Sequence, residues 1–391
     1  MRAYLRYLVL SLLGFMAITV AFTAFIDPYG WAGAPRVTGL NAMKPEAMRQ
    51  VWPVKARQVV RAAPRTIVVG NSRVAYGFDP LSPAWPEHMR PVYNYGVEGG
   101  RLQDLAPHVR KAMELESVQA VFIGLDFYDF LQGDPRLEQF FNAQNGDAKP
   151  YLERVAQILF SNEAVRDSIR TIQRQGDAQP LSLTQQGYGL PGRFDRVWSD
   201  FGHYEQFRRI ERGTFRQILN LDVSLPDPED SNALHVLRRM IATAKANDVA
   251  VTLFTHPTHA EMFHGLQVAG YAADFVDWKR MILAEAAAQD IPFYDFAHVD
   301  ADSIEPLPGP GDRETRMRGY WDAGHYKPVT GDRIVRAMTG PTPSRARIGP
   351  ADLDAIAAAN QAALAAYLDA NPDSERRLRE VMLSAGTIGD S

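Results

Sequence analysis

The chain has 391 residues, enough for one large domain or two ordinary ones. A hydrophobic share of 46% with 23% charged residues excludes an intrinsically disordered chain. The net charge of -4 gives no global positive field, so no nucleic-acid partner is expected, and the lack of cysteine removes disulfides, thiolate nucleophiles and cysteine metal sites together.

Arg2 and Arg6 precede an uncharged run over residues 7–26. Twenty helical residues span about 30 Å, the hydrocarbon core of a bilayer. The arginines stay cytoplasmic by the positive-inside rule. Residues 1–31 therefore read as a single-pass inner-membrane anchor, with the bulk of the chain in the periplasm. A cleaved signal peptide fits less well, because the apolar run is long and Phe22-Thr23-Ala24-Phe25 is a poor cleavage site. A buried core helix would not need the flanking arginines. Asp27-Pro28-Tyr29-Gly30-Trp31 stops the helix, and Tyr29 and Trp31 suit the headgroup interface. Residues 32–64, polar and proline-bearing, read as a neck.

Short apolar runs then alternate with helical patterns. Thr66-Ile67-Val68-Val69-Gly70, Val92-Tyr93-Asn94-Tyr95-Gly96-Val97, Ala120-Val121-Phe122-Ile123-Gly124-Leu125, Val249-Ala250-Val251-Thr252-Leu253-Phe254 and Pro292-Phe293-Tyr294-Asp295-Phe296 are five candidate strands. Leu102, Leu105, Val109 and Met113 recur at helical spacing, as do Leu234, Leu237 and Ile241, and a further helix covers about residues 272–289. Continuous apolar strands between amphipathic helices predict an α/β domain with a parallel sheet covered on both faces, over residues 65–340. Function in such sheets gathers at the carboxyl ends of the strands.

The alternation breaks over about residues 131–228, which are helical, charged and aromatic (Phe140, Phe141, Tyr151, Trp198, Phe201, Tyr204, Phe207). This length predicts a helical insertion rather than a loop. Its aromatics read first as a small core of their own, and second as a substrate-facing cap. Residues 341–391, from Pro341-Thr342-Pro343 through an alanine-rich helix and a charged segment over residues 374–383, form a C-terminal helical extension.

Two elements carry chemistry. Gly70-Asn71-Ser72-Arg73 places a serine just past a strand and before a helix, although a serine there is most often a simple N-cap. In Trp321-Asp322-Ala323-Gly324-His325-Tyr326 the aspartate can accept the imidazole Nδ1–H and leave Nε2 to take a proton from serine. A surface turn with a local Asp–His hydrogen bond is the plainer reading of that element. A third cluster, His256, Pro257, His259, Glu261 and His264, lacks the helical His-Glu-x-x-His spacing, so no metal is expected; it reads either as polar lining of the site's rim, through His256 and His259, or as simple loop structure.

In combination these blocks resemble the SGNH (GDSL-type) hydrolase superfamily, in its exported, membrane-anchored branch related to polysaccharide O-acetylation proteins. The resemblance covers about residues 65–130 and 245–340. It implies a flavodoxin-like three-layer sandwich with Ser72 as nucleophile, His325 as base and Asp322 as its orienting partner. Gly96, in Asn-Tyr-Gly-Val-Glu-Gly, falls where that family uses a glycine N–H in the oxyanion hole. Gly124-Leu125-Asp126 matches the block that ends in asparagine. Arg73 joins Gly96, Asp126, His256 and His259 among the oxyanion or substrate-binding positions. The departures are Asn71 for the usual aspartate, Gly77 one residue late, and Asp126 for asparagine. An ionised Asp126 would repel an oxyanion. It must either be a protonated donor or hold its loop through ionised hydrogen bonds, and the second is preferred, as for most loop carboxylates.

The function expected from the sequence is thus a serine esterase or O-acyltransferase acting on an exported glycan or envelope ester at the inner membrane, without a cofactor. An export or acyl-donor membrane protein is an admissible partner. The alternative is a non-catalytic scaffold or glycan-binding subunit that keeps the fold.

Overall fold

The computed structural model describes residues 1–137, 139, 151–342 and 344–386. The sequence readings at Phe140, Phe141 and Pro343 lie outside the described residues. In chain order the elements are α1 (Arg2–Ile26), α2 (Val51–Ala62), β1 (Thr66–Gly70), α3 (Ser72–Gly77), β2 (Val92–Gly96), α4 (Leu102–Met113), β3 (Ala120–Leu125), α5 (Tyr151–Phe160), α6 (Asn162–Gln173), α7 (Gly192–Thr214), α8 (Asn232–Ala246), β4 (Ala250–Thr255), α9 (Ala260–Val268), α10 (Ala272–Ala288), β5 (Phe293–Tyr294), α11 (Pro328–Thr339), α12 (Leu353–Ala370) and α13 (Pro372–Ala385).

The described residues fall into two compact units. One gathers those of residues 1–62 and 147–195, the other those of residues 63–146 and 196–391. Residues 32–62 thus group with the middle of the expected insertion, the described residues of 147–195, while the described residues of 131–146 and 196–228 group with the sheet.

In the first unit, α1 is long and apolar enough to span a membrane, and most of its length is exposed. It ends at Asp27, whose left-handed φ of 49° breaks the helix. The Asp27 carboxylate then accepts the N–H groups of Ala32, Gly33 and Ala34 and rewinds the chain. Tyr29 and Trp31 do not face a headgroup layer. They are buried with Val54, Ile158 and Leu183 in this unit's core. The Tyr29 hydroxyl donates to Asp167 at 2.8 Å, a bond that a spacer segment would not supply. Two lysines are buried here: the Lys44 ammonium donates to Ile26 O at 2.9 Å and that of Lys55 to Gly187 O at 2.6 Å. Burial lowers the Lys44 pKa to about 8.

The second unit is an α/β body on a five-stranded, all-parallel sheet in the order β2-β1-β3-β4-β5. Ile67, Val68 and Val69 of β1 are fully buried, as sandwiching between two layers requires. From β1 the chain steps outward to β2, then returns to β3 on the other side. Strand order therefore reverses at β1, where a crevice opens beyond the carboxyl ends. The residues of α3 begin there.

Candidate active site

The site is built from the turn after β1. Gly70 lets the chain turn sharply, since a Cβ there would lie 2.6 Å from Val74 Cγ2. Asn71 caps α3 by accepting the Arg73 N–H at 2.9 Å, and Ser72 becomes the first helical residue. The far end of this six-residue helix is held by Asn94 of β2, whose buried amide donates to Val74 O at 2.8 Å and Phe78 O at 2.7 Å. Gly331 of α11 closes the other side: its Cβ would fall 1.8 Å from Gly77 O, so only glycine permits the approach.

The loop before α11 brings in the histidine. Asp322 is 2% exposed, and its Oδ1 accepts the N–H groups of Gly324 and His325, both at 2.9 Å. The same carboxylate lies 2.8 and 3.0 Å from His325 Nδ1. That network places the imidazole proton on Nδ1. His325 Nε2 is then the acceptor of the ring, and it lies 2.8 Å from Ser72 Oγ. Ser72, His325 and Asp322, separated by about 250 residues of sequence between serine and histidine, meet as one hydrogen-bonded chain.

Arg73 ties the two halves together. Its Nε donates to Gly324 O at 2.9 Å, and its Nη1 pairs with Asp126 at 3.1 Å. Burial works against the guanidinium charge, but Asp126 first, and then Tyr128, Tyr326 and Asp322, outweigh it and hold its pKa above the ordinary arginine range. Asp126 Oδ2 also accepts from Asn71 Nδ2 at 2.7 Å, and its Oδ1 from the Tyr128 N–H at 3.4 Å. Its neighbours are a cation and donors, the surroundings of a carboxylate that holds a loop. Asp129 accepts the Leu102 N–H at the start of α4, and burial next to Asp126 pushes its pKa well up.

A cleft of about 150 Å³ opens over Ser72 and His325. Asn71, Arg73, Asp126 and Asp129 line it, and its far wall is Ile210, Thr214, Ile218 and Met262. The insertion therefore does reach the site, but through an aliphatic helix face rather than its aromatics. Phe207 is buried edge-on against His259, with centroids 5.0 Å apart, and Trp198 lies under Arg316.

Three sequence expectations are corrected. The Gly96 N–H is not aimed at the cleft; it donates to Asn94 Oδ1 at 2.8 Å. Gly96 is glycine because a Cβ would come 2.2 Å from the Ala75 N of α3. The glycines that do line the cleft are Gly99, Gly100 and Gly324, and Gly99 takes a left-handed φ of 68°. His256 is no rim residue: it is buried under Arg73, Nδ1 against the Tyr326 hydroxyl at 3.0 Å, and desolvation followed by the Arg73 charge lowers its pKa to about 3. His259 caps α9 and bonds Glu305 O at 2.8 Å, away from the cleft, and burial lowers its pKa to about 4.

Sequence reasoning missed Asn94, Gly99, Gly100 and the Ile210–Thr214–Ile218 face. The glycine doublet after β2 and the four-residue spacing of the last three were the available signals. Among the described residues no three His, Asp or Glu side chains converge as a metal site. No protein family, curated protein or solved structure matches this chain.

Proposed function

We propose that this protein is a membrane-anchored serine esterase or O-acyltransferase of SGNH type, acting on an exported glycan or envelope ester. The observation that carries the reading is the continuous contact Ser72 Oγ–His325 Nε2–Asp322, 2.8 Å at each step. Three side chains of these types, in this order, at a strand-end crevice, form the constellation that activates a hydroxyl nucleophile. The strand order, with β1 between β2 and β3, supports the flavodoxin-like assignment.

In this mechanism Ser72 attacks the acyl carbonyl as His325 takes its proton, and Asp322 stabilises the imidazolium. His325 then returns the proton to the departing alcohol. Water or a sugar hydroxyl, deprotonated by the same imidazole, releases the acyl group from Ser72. The backbone N–H groups of Ser72 and Gly99 are assigned to the oxyanion, and Arg73, neutralised by Asp126, positions the two loops. Helix α1 holds the enzyme at the inner membrane with the α/β unit on the periplasmic side.

The scaffold reading retains one supporting observation: Asp126 stands where an amide donor would be useful, and its oxygens are occupied by Arg73 and Asn71. A fluorophosphonate separates the two. An activated Ser72 is labelled stoichiometrically, and Ser72→Ala abolishes the labelling. An unlabelled, folded wild type would leave the scaffold.

A further inference from the structure

Away from the Ser72 cleft, positive charge concentrates on α7 and on the π-helical turn Phe215–Leu219 that continues it. This helix bends at Gly202, whose φ is 78° and whose Cβ would sit 2.1 Å from Asp312 O. The elbow holds a cavity of about 370 Å³. Arg208, Arg209, Arg212 and Arg216 line it, with Phe201 from the other arm and Glu205 as its one carboxylate. None of the four arginines comes within ion-pair distance of a described carboxylate; the Arg208 charge acts on the buried Glu211, which Arg377 holds at 2.6 Å. Arg208 and Arg209 instead lie 5.8 and 5.7 Å from the ring centres of Tyr204 and Phe201. Arg208 Nε is buried without a hydrogen-bond partner among the described residues.

Four cations facing one anion repel each other, and the chain as a whole is acidic, so the cluster does not reflect overall composition. Guanidinium forks match carboxylate and phosphate oxygens two at a time. Arg208 and Arg212 are four α-helical residues apart, a step of about 6 Å, and Arg216 extends the row into the π-helical turn. Such a row fits a run of regularly spaced anions better than a single ion. A membrane surface fits less well, because a helix lying on lipid presents large apolar side chains beside its basic ones. Here only Phe201 is exposed at the groove, beside Arg209, and the cations line a hollow. The opposite face of the same helical segment is the Ile210–Thr214–Ile218 wall of the cleft, about one helix diameter, 10 Å, away.

We propose that this arginine-lined elbow binds a polymer carrying carboxylate or phosphate groups along its length. If the esterase reading holds, that polymer is the acidic substrate itself, anchored one helix away from Ser72; the binding site stands without that reading.

The test uses the full chain in a neutral detergent, titrated with labelled polygalacturonate, with polyphosphate, with neutral dextran and with phosphatidylglycerol vesicles. Saturable binding of at least one polyanion and none of dextran is expected. The variant R208Q/R209Q/R212Q/R216Q should bind about tenfold or more weakly, with a flatter salt dependence. The equally discharged control R65Q/R110Q/R313Q/R379Q should stay within about twofold of wild type. The single exposed substitutions R212Q and R216Q, each expected to weaken binding about twofold to threefold, keep the test open should the quadruple variant misfold. Absence of polyanion binding by wild type, equal loss in both quadruple variants, or an arginine-dependent preference for vesicles overturns the proposal. Fluorophosphonate labelling of the first variant should match wild type. Loss of labelling in wild type, with polymer binding intact, would sink the esterase reading alone.

Discussion

The Asp126 carboxylate meets the Asn71 amide at 2.7 Å, so the end of β3 holds the residue immediately before Ser72. The same carboxylate pairs with Arg73 on the other side of that serine at 3.1 Å. Asp126 thus clamps the Ser72 turn from both flanks. Asp126→Asn should leave the Arg73 charge buried without its partner and destabilise the protein by about 3 kcal/mol, a fall of about 6 °C in Tm. Ester turnover should fall or stay level across pH 5 to about 9. A faster mutant with a broader alkaline limb would show that Asp126 acts as a protonated donor instead.

The three-residue chain predicts unequal losses. Ser72→Ala should abolish both phosphonate labelling and turnover of a short-chain acyl ester. Asp322→Asn keeps the shape but favours the wrong imidazole tautomer, so kcat should drop about 10³- to 10⁴-fold. A tenfold loss or less in Asp322→Asn would mean that Asp322 does not set the tautomer of a working His325 base.

The sheet and the meeting of Ser72 with His325 are legible in the sequence for the same reason. The strands are mostly apolar runs, because both sheet faces are covered, and a parallel sheet sends its strand ends to one edge. What depends on which partner satisfies which polar group is not legible. Nothing local in Asn94-Tyr95-Gly96 says that the asparagine captures both the end of α3 and the glycine N–H. Periodicity shows that Ile210, Thr214 and Ile218 share a helix face, but not that the face closes a cleft. Tyr29 and Trp31 follow an apolar helix as interface aromatics do, yet the buried Asp167 carboxylate that captures Tyr29 is more than a hundred residues away.

The topology of α1 is tested by a reporter fused after Ser391 that works only in the cytoplasm. With Arg2 and Arg6 held inside, it should be silent, and a periplasmic reporter at the same position active. The opposite pattern would reverse the orientation, and release of the fusion into the soluble fraction would remove the anchor.

Gly96→Ala separates a packing glycine from an oxyanion donor. The substitution keeps the N–H but puts a methyl against the Ala75 backbone of α3, displacing the helix that carries Ser72. A loss of about 1–3 kcal/mol in stability should accompany slower labelling of Ser72. Unchanged stability with impaired turnover would instead point to a direct part in catalysis.

Buried histidines with lowered pKa values should make the fold sensitive to acid. Desolvation, aided by neighbouring cations, lowers His256 to about 3, and His203 and His259 to about 4. Unfolded, each returns to about 6.5. Because the folded values are the lower ones, the neutral side chains contribute fully above about pH 6.5, and that contribution drains away as pH falls towards 4. Each group left to itself would remove up to about 2 kcal/mol by pH 5. His256 is the clearest case: Nδ1 is engaged by Tyr326, and Nε2 has no partner among the described residues, so an added proton would be buried beside Arg73 with nothing to receive it. Urea unfolding of the detergent-solubilised chain at pH 7, 6 and 5 should show stability falling with pH. His256→Gln should make that fall shallower by about 1.4 kcal/mol per pH unit between pH 6 and 5, because one fewer proton is taken up on unfolding. The glutamine variant will be less stable at pH 7, having lost the ring's packing and its bond to Tyr326, so the slope is the informative quantity. A wild type equally stable at pH 7 and 5, or a variant with an unchanged slope, would mean that His256 is protonated in the folded state and that the Arg73 environment admits a second cation.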